Sequence, residues 1–141
     1  MIEISFVGIK PEAQHYERQI IERMTRERLL MRKRKLVFIT EDRFELVWGK
    51  IRPFHPRVCR KVERQLLYRY VVIVLFEGEA AISRIVEIVG PKANAPRNKP
   101  HQLRYIYGDH HSRRLHANGI HRPKTAKEVL EHLAALGVGS F

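Results

Sequence analysis

The chain has 141 residues, 44% of them hydrophobic, which gives room for one domain with its own core and argues against disorder. Twenty-seven Lys and Arg against fifteen Asp and Glu leave a net charge of +12, a field that draws polyanions and phosphorylated ligands without dictating a fold. Cys59 is the single cysteine, so an intrachain disulfide is excluded and a reducing, cytoplasmic setting is expected. No run approaches the ~20 apolar residues of a membrane span, and the amino-terminal run does not read as a secretory signal.

Residues 2–9, IEISFVGI, predict a strand closed by Pro11. Residues 13–34 are charged and helix-friendly, with Ile20, Ile21, Met24 and Leu29 at roughly helical spacing. Leu36-Val37-Phe38-Ile39 predicts the next strand, and Thr40-Glu41-Asp42 offers helix-entry chemistry before a short helix over residues 44–48. Pro53 and Pro56 interrupt the pattern. A further helix to about Leu67 puts Val58, Val62 and Leu66 on one face.

The seven apolar residues from Tyr70 to Phe76 predict a central strand buried on both sides. Glu77-Gly78 predicts a turn into a helix over residues 79–89, with Ala81, Ile82, Ile85 and Val89 facing inward. Residues 90–117, rich in Pro, Asn, His, Lys and Arg, read as one long loop of the kind that carries function. A short strand at residues 119–121 follows. The last helix opens at Thr125 with Glu128 as a capping box, buries Val129, Leu133 and Leu136, and ends at Gly137 and Gly139. This order predicts an α+β, ferredoxin-like fold: an antiparallel four-stranded sheet with helices packed on it, residues 1–141 forming a single domain.

His121 is the first candidate for chemistry. A free imidazole (pKa ~6.5) is largely unprotonated at neutral pH and can attack phosphorus; the plainer reading is a ring that satisfies a backbone group at a strand end. Lys10 closes the first strand, where a long cation can emerge into a cleft. The planar fork of Arg104 suits phosphate oxygens. His101, His110, His111, His116 and His121, with Asp109, are competent transition-metal ligands but show no recognisable metal spacing.

Phe6-Val7-Gly8-Ile9-Lys10-Pro11 and Asn118-Gly119-Ile120-His121 occur in that order, with a Gly90-bounded loop between them and Thr125 opening the final helix. Together they resemble the nucleoside diphosphate kinase family, whose first strand ends in Ile-Lys-Pro and whose catalytic histidine lies in Asn-x-x-His. The resemblance implies a divergent kinase that moves the γ-phosphate of a nucleoside triphosphate to a nucleoside diphosphate through a phosphohistidine at His121. It implies that Lys10 and Arg104 stabilise the moving phosphoryl group and that Asn118 helps hold the nucleotide. Lys92, near an expected threonine, would contact phosphate. It further implies Mg²⁺ carried by the nucleotide, no protein-held metal, and a homo-oligomer.

The departures are specific. Arg122, Pro123 and Lys124 stand where the family has a small residue, a serine and an aspartate, and His132 replaces a glutamate that orients the catalytic imidazole. Val86 falls where a second phosphate-binding arginine is expected, Trp48 near an expected tyrosine, and Val58 near an aromatic that stacks on the base. They support an alternative: a catalytically inactive module of the same fold that binds nucleic acid or a protein partner through its basic surface. Arg32-Lys33-Arg34-Lys35, and Arg113-Arg114 beside Tyr105 and Tyr107, would be its contact clusters.

Overall fold

The computed structural model describes residues 1–91, 95–108, 110 and 118–139. Four strands, β1 (Ile2–Ile9), β2 (Leu30–Phe38), β3 (Tyr70–Glu79) and β4 (Ile120–His121), form one antiparallel sheet in the spatial order β2-β3-β1-β4. Six α-helices accompany it among the described residues: α1 (Glu17–Arg26), α2 (Glu41–Val47), α3 (Pro56–Leu66), α4 (Ala81–Val89), α5 (Leu103–Tyr107) and α6 (Ala126–Ala135). This is the expected α+β, ferredoxin-like arrangement. No described helix is long and apolar enough to cross a membrane.

Side-chain alternation along the central strands builds two cores. On one face Phe6, Val71, Ile73 and Leu75 meet Phe44, Cys59, Val62, Leu66, Val129 and Leu133 from α2, α3 and α6. On the other, Val7, Ile9, Val72, Val74 and Phe76 meet Ile20 and Met24 of α1 and Ile85 and Val89 of α4. Val71 to Phe76 are buried on both sides because β3 lies between β1 and β2 with both faces covered, while Tyr70, expected to be buried with them, is half exposed at the strand's start. The same alternation places Lys10, in phase with Phe6, toward α2 and α3. His121 pairs with Gly8 across the β1–β4 ladder and so points to that face as well.

Three expectations are corrected. The helix expected over residues 13–34 is a 3-10 stretch, Pro11–Tyr16, then α1, which stops at Arg26; Arg28 takes a left-handed φ of +62° and the chain turns into β2 at Leu30. The basic run Arg32 to Lys35 is good helix material by propensity, but pairing with β3 from Leu30↔Glu77 to Phe38↔Tyr70 overrides it. Second, Glu77-Gly78 is not a turn. β3 continues to Glu79, and Gly78 belongs there because an added Cβ would lie 2.8 Å from Leu29 Cδ2 and 3.1 Å from Arg28 O. Third, the expected loop over residues 90–117 contains the short helix α5, which carries Arg104.

The cap at Thr125 is as expected: its Oγ1 accepts from Glu128 N at 3.1 Å and sets where α6 begins. Val129, Leu133 and Leu136 are buried beneath it.

Candidate active site

Lys10, Arg104, Asn118 and His121 line one cleft of about 380 Å³, with Val47, Trp48, Ile51, His55, Val58 and Val62 as its other wall. Three segments remote in sequence supply the polar side: the end of β1, the helix α5, and the turn entering β4. The sequence reading had placed these four together. Trp48 and Val58, set by the resemblance near an expected tyrosine and a base-stacking aromatic, do line the cleft. The rest of the apolar wall was not anticipated, and Val62, which reads as an ordinary core position of α3, turns part of its surface to the cleft. Lys92 lies outside the described residues, as do Asp109, His111, Arg113, Arg114 and His116.

The entry to β4 is held by main-chain contacts. Lys10 N donates to Gly119 O at 2.8 Å, and Gly119 N to Glu12 Oε2 at 3.3 Å. Gly119 adopts φ +82°, and a Cβ there would lie 3.0 Å from Tyr107 O and 3.1 Å from Ala13 Cβ, so only glycine fits. Lys10 Nζ donates to Asn118 Oδ1 at 2.9 Å, which fixes the ammonium at the cleft although the side chain is almost wholly buried.

Arg104 is 2% exposed. Its Nε donates to Ile120 O at 3.0 Å and its Nη1 to Gly90 O at 2.8 Å, so the guanidinium ties the end of α4 to β4. Burial, and after it the charge of Arg122, pushes its pKa down to about 9. Arg122 shares the Gly90 carbonyl, its Nη2 donating at 3.1 Å. Its Nε and Nη1 are buried with no hydrogen-bond partner among the described residues, and burial lowers its pKa against a partial lift from Glu128. Two guanidinium groups thus crowd one carbonyl oxygen, an arrangement that favours an incoming anion.

His121 is 5% exposed yet opens on the cleft. Trp48 packs near its edge, ring centroids 5.2 Å apart at 64°, and Phe6 lies 6.0 Å away. Its Nε2 lies 3.1 Å from Nδ1 of His132 on α6. His132 therefore reaches the imidazole although it replaces a carboxylate. Val86 offers no charge from α4, and Lys124 is exposed beyond the cleft lining. Among the described residues the cleft lining holds no carboxylate, and no group of three His, Cys, Asp or Glu is placed to hold a metal. A resident Mg²⁺ does not fit the cationic donor set that the described residues form.

A buried cleft with an ammonium, a guanidinium and an imidazole at its polar end, and an aromatic and aliphatic wall opposite, suits a phosphorylated ligand with a flat apolar part. The nucleoside diphosphate kinase family model matches residues 3–136, nearly the whole chain. The chain belongs to the nucleoside diphosphate kinase family. A comparison with curated proteins gave no match. Among solved structures, the Aquifex aeolicus nucleoside diphosphate kinase is 22% identical with a TM-score of 0.79, the alignment covering 96% of this chain and 94% of that one. The Borrelia burgdorferi nucleoside-diphosphate kinase, a transition state mimic with bound vanadate and ADP, is 15% identical with a TM-score of 0.81, over 95% and 86% of the two chains. The Halobacterium salinarum nucleoside diphosphate kinase in complex with CDP is 20% identical with a TM-score of 0.80, over 96% and 87%. At these identities the likeness to this kinase is one of fold.

Proposed function

We propose that this nucleoside diphosphate kinase moves the γ-phosphate of a nucleoside triphosphate onto a nucleoside diphosphate by way of a phosphohistidine at His121. The observation that carries the reading is the convergence of Lys10, Arg104, Asn118 and His121 on one cleft. His121 Nε2 is engaged with His132, so the reacting nitrogen is Nδ1. Attack forms the N–P bond as the bond to the leaving diphosphate breaks, and a second diphosphate reverses the step. Lys10 and Arg104 are fixed in place before reaction and stabilise charge as it shifts onto the leaving oxygen. Trp48 and Val58 pack against the nucleobase. Mg²⁺ enters on the nucleotide phosphates as part of the substrate.

The ADP- and CDP-bearing relatives support diphosphate binding in this cleft. A homo-oligomer in the cytoplasm completes the reading, and light scattering tests the assembly. Single-stranded nucleic acid is a further expected ligand of the basic surface. Arg57, Arg60, Lys61 and Arg64 are all exposed on the outer side of α3, and binding there weakens steeply with salt.

The test of the phosphotransfer is direct. Incubation with γ-labelled ATP leaves acid-labile label on His121, and His121→Ala abolishes it. Absence of label from the native protein refutes the reading.

A further inference from the structure

His121 and His132 form a buried pair. Both are at most 5% exposed, their ring centroids lie 5.1 Å apart at 37°, and Nε2 of His121 is 3.1 Å from Nδ1 of His132. Phe6 packs on both rings, at 6.0 and 6.3 Å, and Trp48 closes over His121. Neither ring can turn away without opening the core that Phe6 anchors.

Two ring nitrogens at hydrogen-bond distance share one proton: one donates and the other accepts. If His121 Nε2–H donates, the lone pair of His121 resides on Nδ1, the nitrogen with nucleophilic capacity. If His132 Nδ1–H donates instead, neutral His121 carries its own proton on Nδ1 and is inert toward phosphorus. The identity of the donor decides whether His121 can react.

We propose that His132 is a positioning residue that accepts the Nε2 proton of His121, selecting the reactive tautomer and taking that proton when the ring is phosphorylated. The inference rests on His121 being the phosphoryl acceptor, as proposed above. As the Nδ1 lone pair forms the bond to phosphorus, the bond to the diphosphate breaks and its electron pair leaves with the diphosphate. The ring gains positive charge, and the Nε2 proton passes to His132 Nδ1, leaving a neutral phosphoimidazole beside an imidazolium. Return transfer restores the proton to Nε2 as the N–P bond breaks.

A pH signature follows from the proton count. One extra proton on the pair makes either His121 an imidazolium or His132 the donor. In both states His121 Nδ1 bears a proton, and attack stops. Among the described residues, the charged and titratable groups that line the cleft with His121 are Lys10 just after β1, Arg104 from α5 and His55 from the opposite wall. Glu131, the neighbour of His132 on α6, is engaged by Lys50 Nζ at 3.1 Å. The cations oppose an added proton. A carboxylate at position 132 would favour the His121 imidazolium, whereas an amide would accept from Nε2 and not titrate near neutrality.

The experiment measures the rate at which γ-labelled ATP phosphorylates His121 between about pH 5 and pH 9 in the native protein and in His132→Gln, His132→Glu and His132→Ala. His132→Gln, which accepts from Nε2 but cannot take the proton, loses about fivefold in rate at high pH, less than His132→Ala. His132→Glu moves the acid limb upward by about one pH unit. His132→Ala loses about tenfold or more in rate with the KM for ATP unchanged. Acid limbs that superpose in the native, Gln and Glu proteins overturn the assignment even though label forms, as does a fully active His132→Ala. The Gln and Glu variants keep the test decisive if His132→Ala does not fold. No label on native His121 at any pH removes the phosphotransfer reading itself, and this role with it.

Discussion

Lys10 Nζ donates to Asn118 Oδ1 across 2.9 Å, joining positions 108 residues apart, while Lys10 N donates to Gly119 O across 2.8 Å. The one residue that follows β1 thus fixes both the side chain and the main chain of the segment that delivers His121. Because the amide is neutral, the hydrogen bond orients the ammonium without cancelling its charge.

Asn118→Asp therefore separates geometry from charge. The isosteric carboxylate keeps the contact but competes with phosphate for Lys10. The expected outcome is affinity for ATP about tenfold weaker, near 1.4 kcal/mol, with little loss of thermal stability. Calorimetric titration of the variant with ATP checks it; unchanged affinity places the phosphate away from Lys10.

Arg122 contributes a different kind of effect. Among the described residues its guanidinium is buried with Nε and Nη1 unpartnered, while Nη2 donates to Gly90 O, which Arg104 also serves. Arg122→Met removes two unsatisfied donors and a like charge beside Arg104, so the ligand-free protein is expected to gain about 1–2 kcal/mol of stability. Denaturant unfolding measures this. The same variant should gain less from added inorganic phosphate than the native protein does, since part of the anion's benefit is relief of that crowding.

The pH dependence of nucleotide affinity follows from Arg104. Its pKa lies at about 9, lowered first by burial and then by Arg122. A cationic group depressed in this way carries its full burial penalty below about 9, and that penalty lifts as the proton leaves between there and the unfolded value. The charged form is the one that grips phosphate, so ATP affinity should hold through neutral pH and fall as pH rises through about 9. Fluorescence of Trp48, which lines the cleft, reports binding across that range. Arg122→Met should move the fall to higher pH, because a repelling charge is gone.

Much of this architecture is legible in the chain itself, and the legible parts share a cause. The ends of β1 and α6 are written locally, in Pro11 after an apolar run and in the Thr125–Glu128 cap, where neighbouring residues decide the backbone. Lys10, Arg104, Asn118 and His121 were gathered by the resemblance that Ile9-Lys10-Pro11 and Asn118-Gly119-Ile120-His121 carry, not by any local rule of backbone chemistry. β2 was obscured because its exposed edge is Arg-Lys-Arg-Lys, which satisfies helix propensity, while its pairing with β3 is a tertiary fact. Part of the cleft wall was obscured for a related reason: Val62 obeys the same periodicity whether it meets core or ligand, and Val58 was set apart from it only by the family resemblance. Burial of Arg122 has no local signal at all, since a charged residue after a two-residue strand reads as solvent-facing.

The most direct measurement of the central claim is a chase. Protein labelled by γ-labelled ATP is freed of nucleotide and mixed with unlabelled CDP. The account predicts that label leaves His121 within one turnover and appears as CTP, at a rate that collapses in Lys10→Met. Label that stays on the protein, or that leaves only as inorganic phosphate, contradicts it.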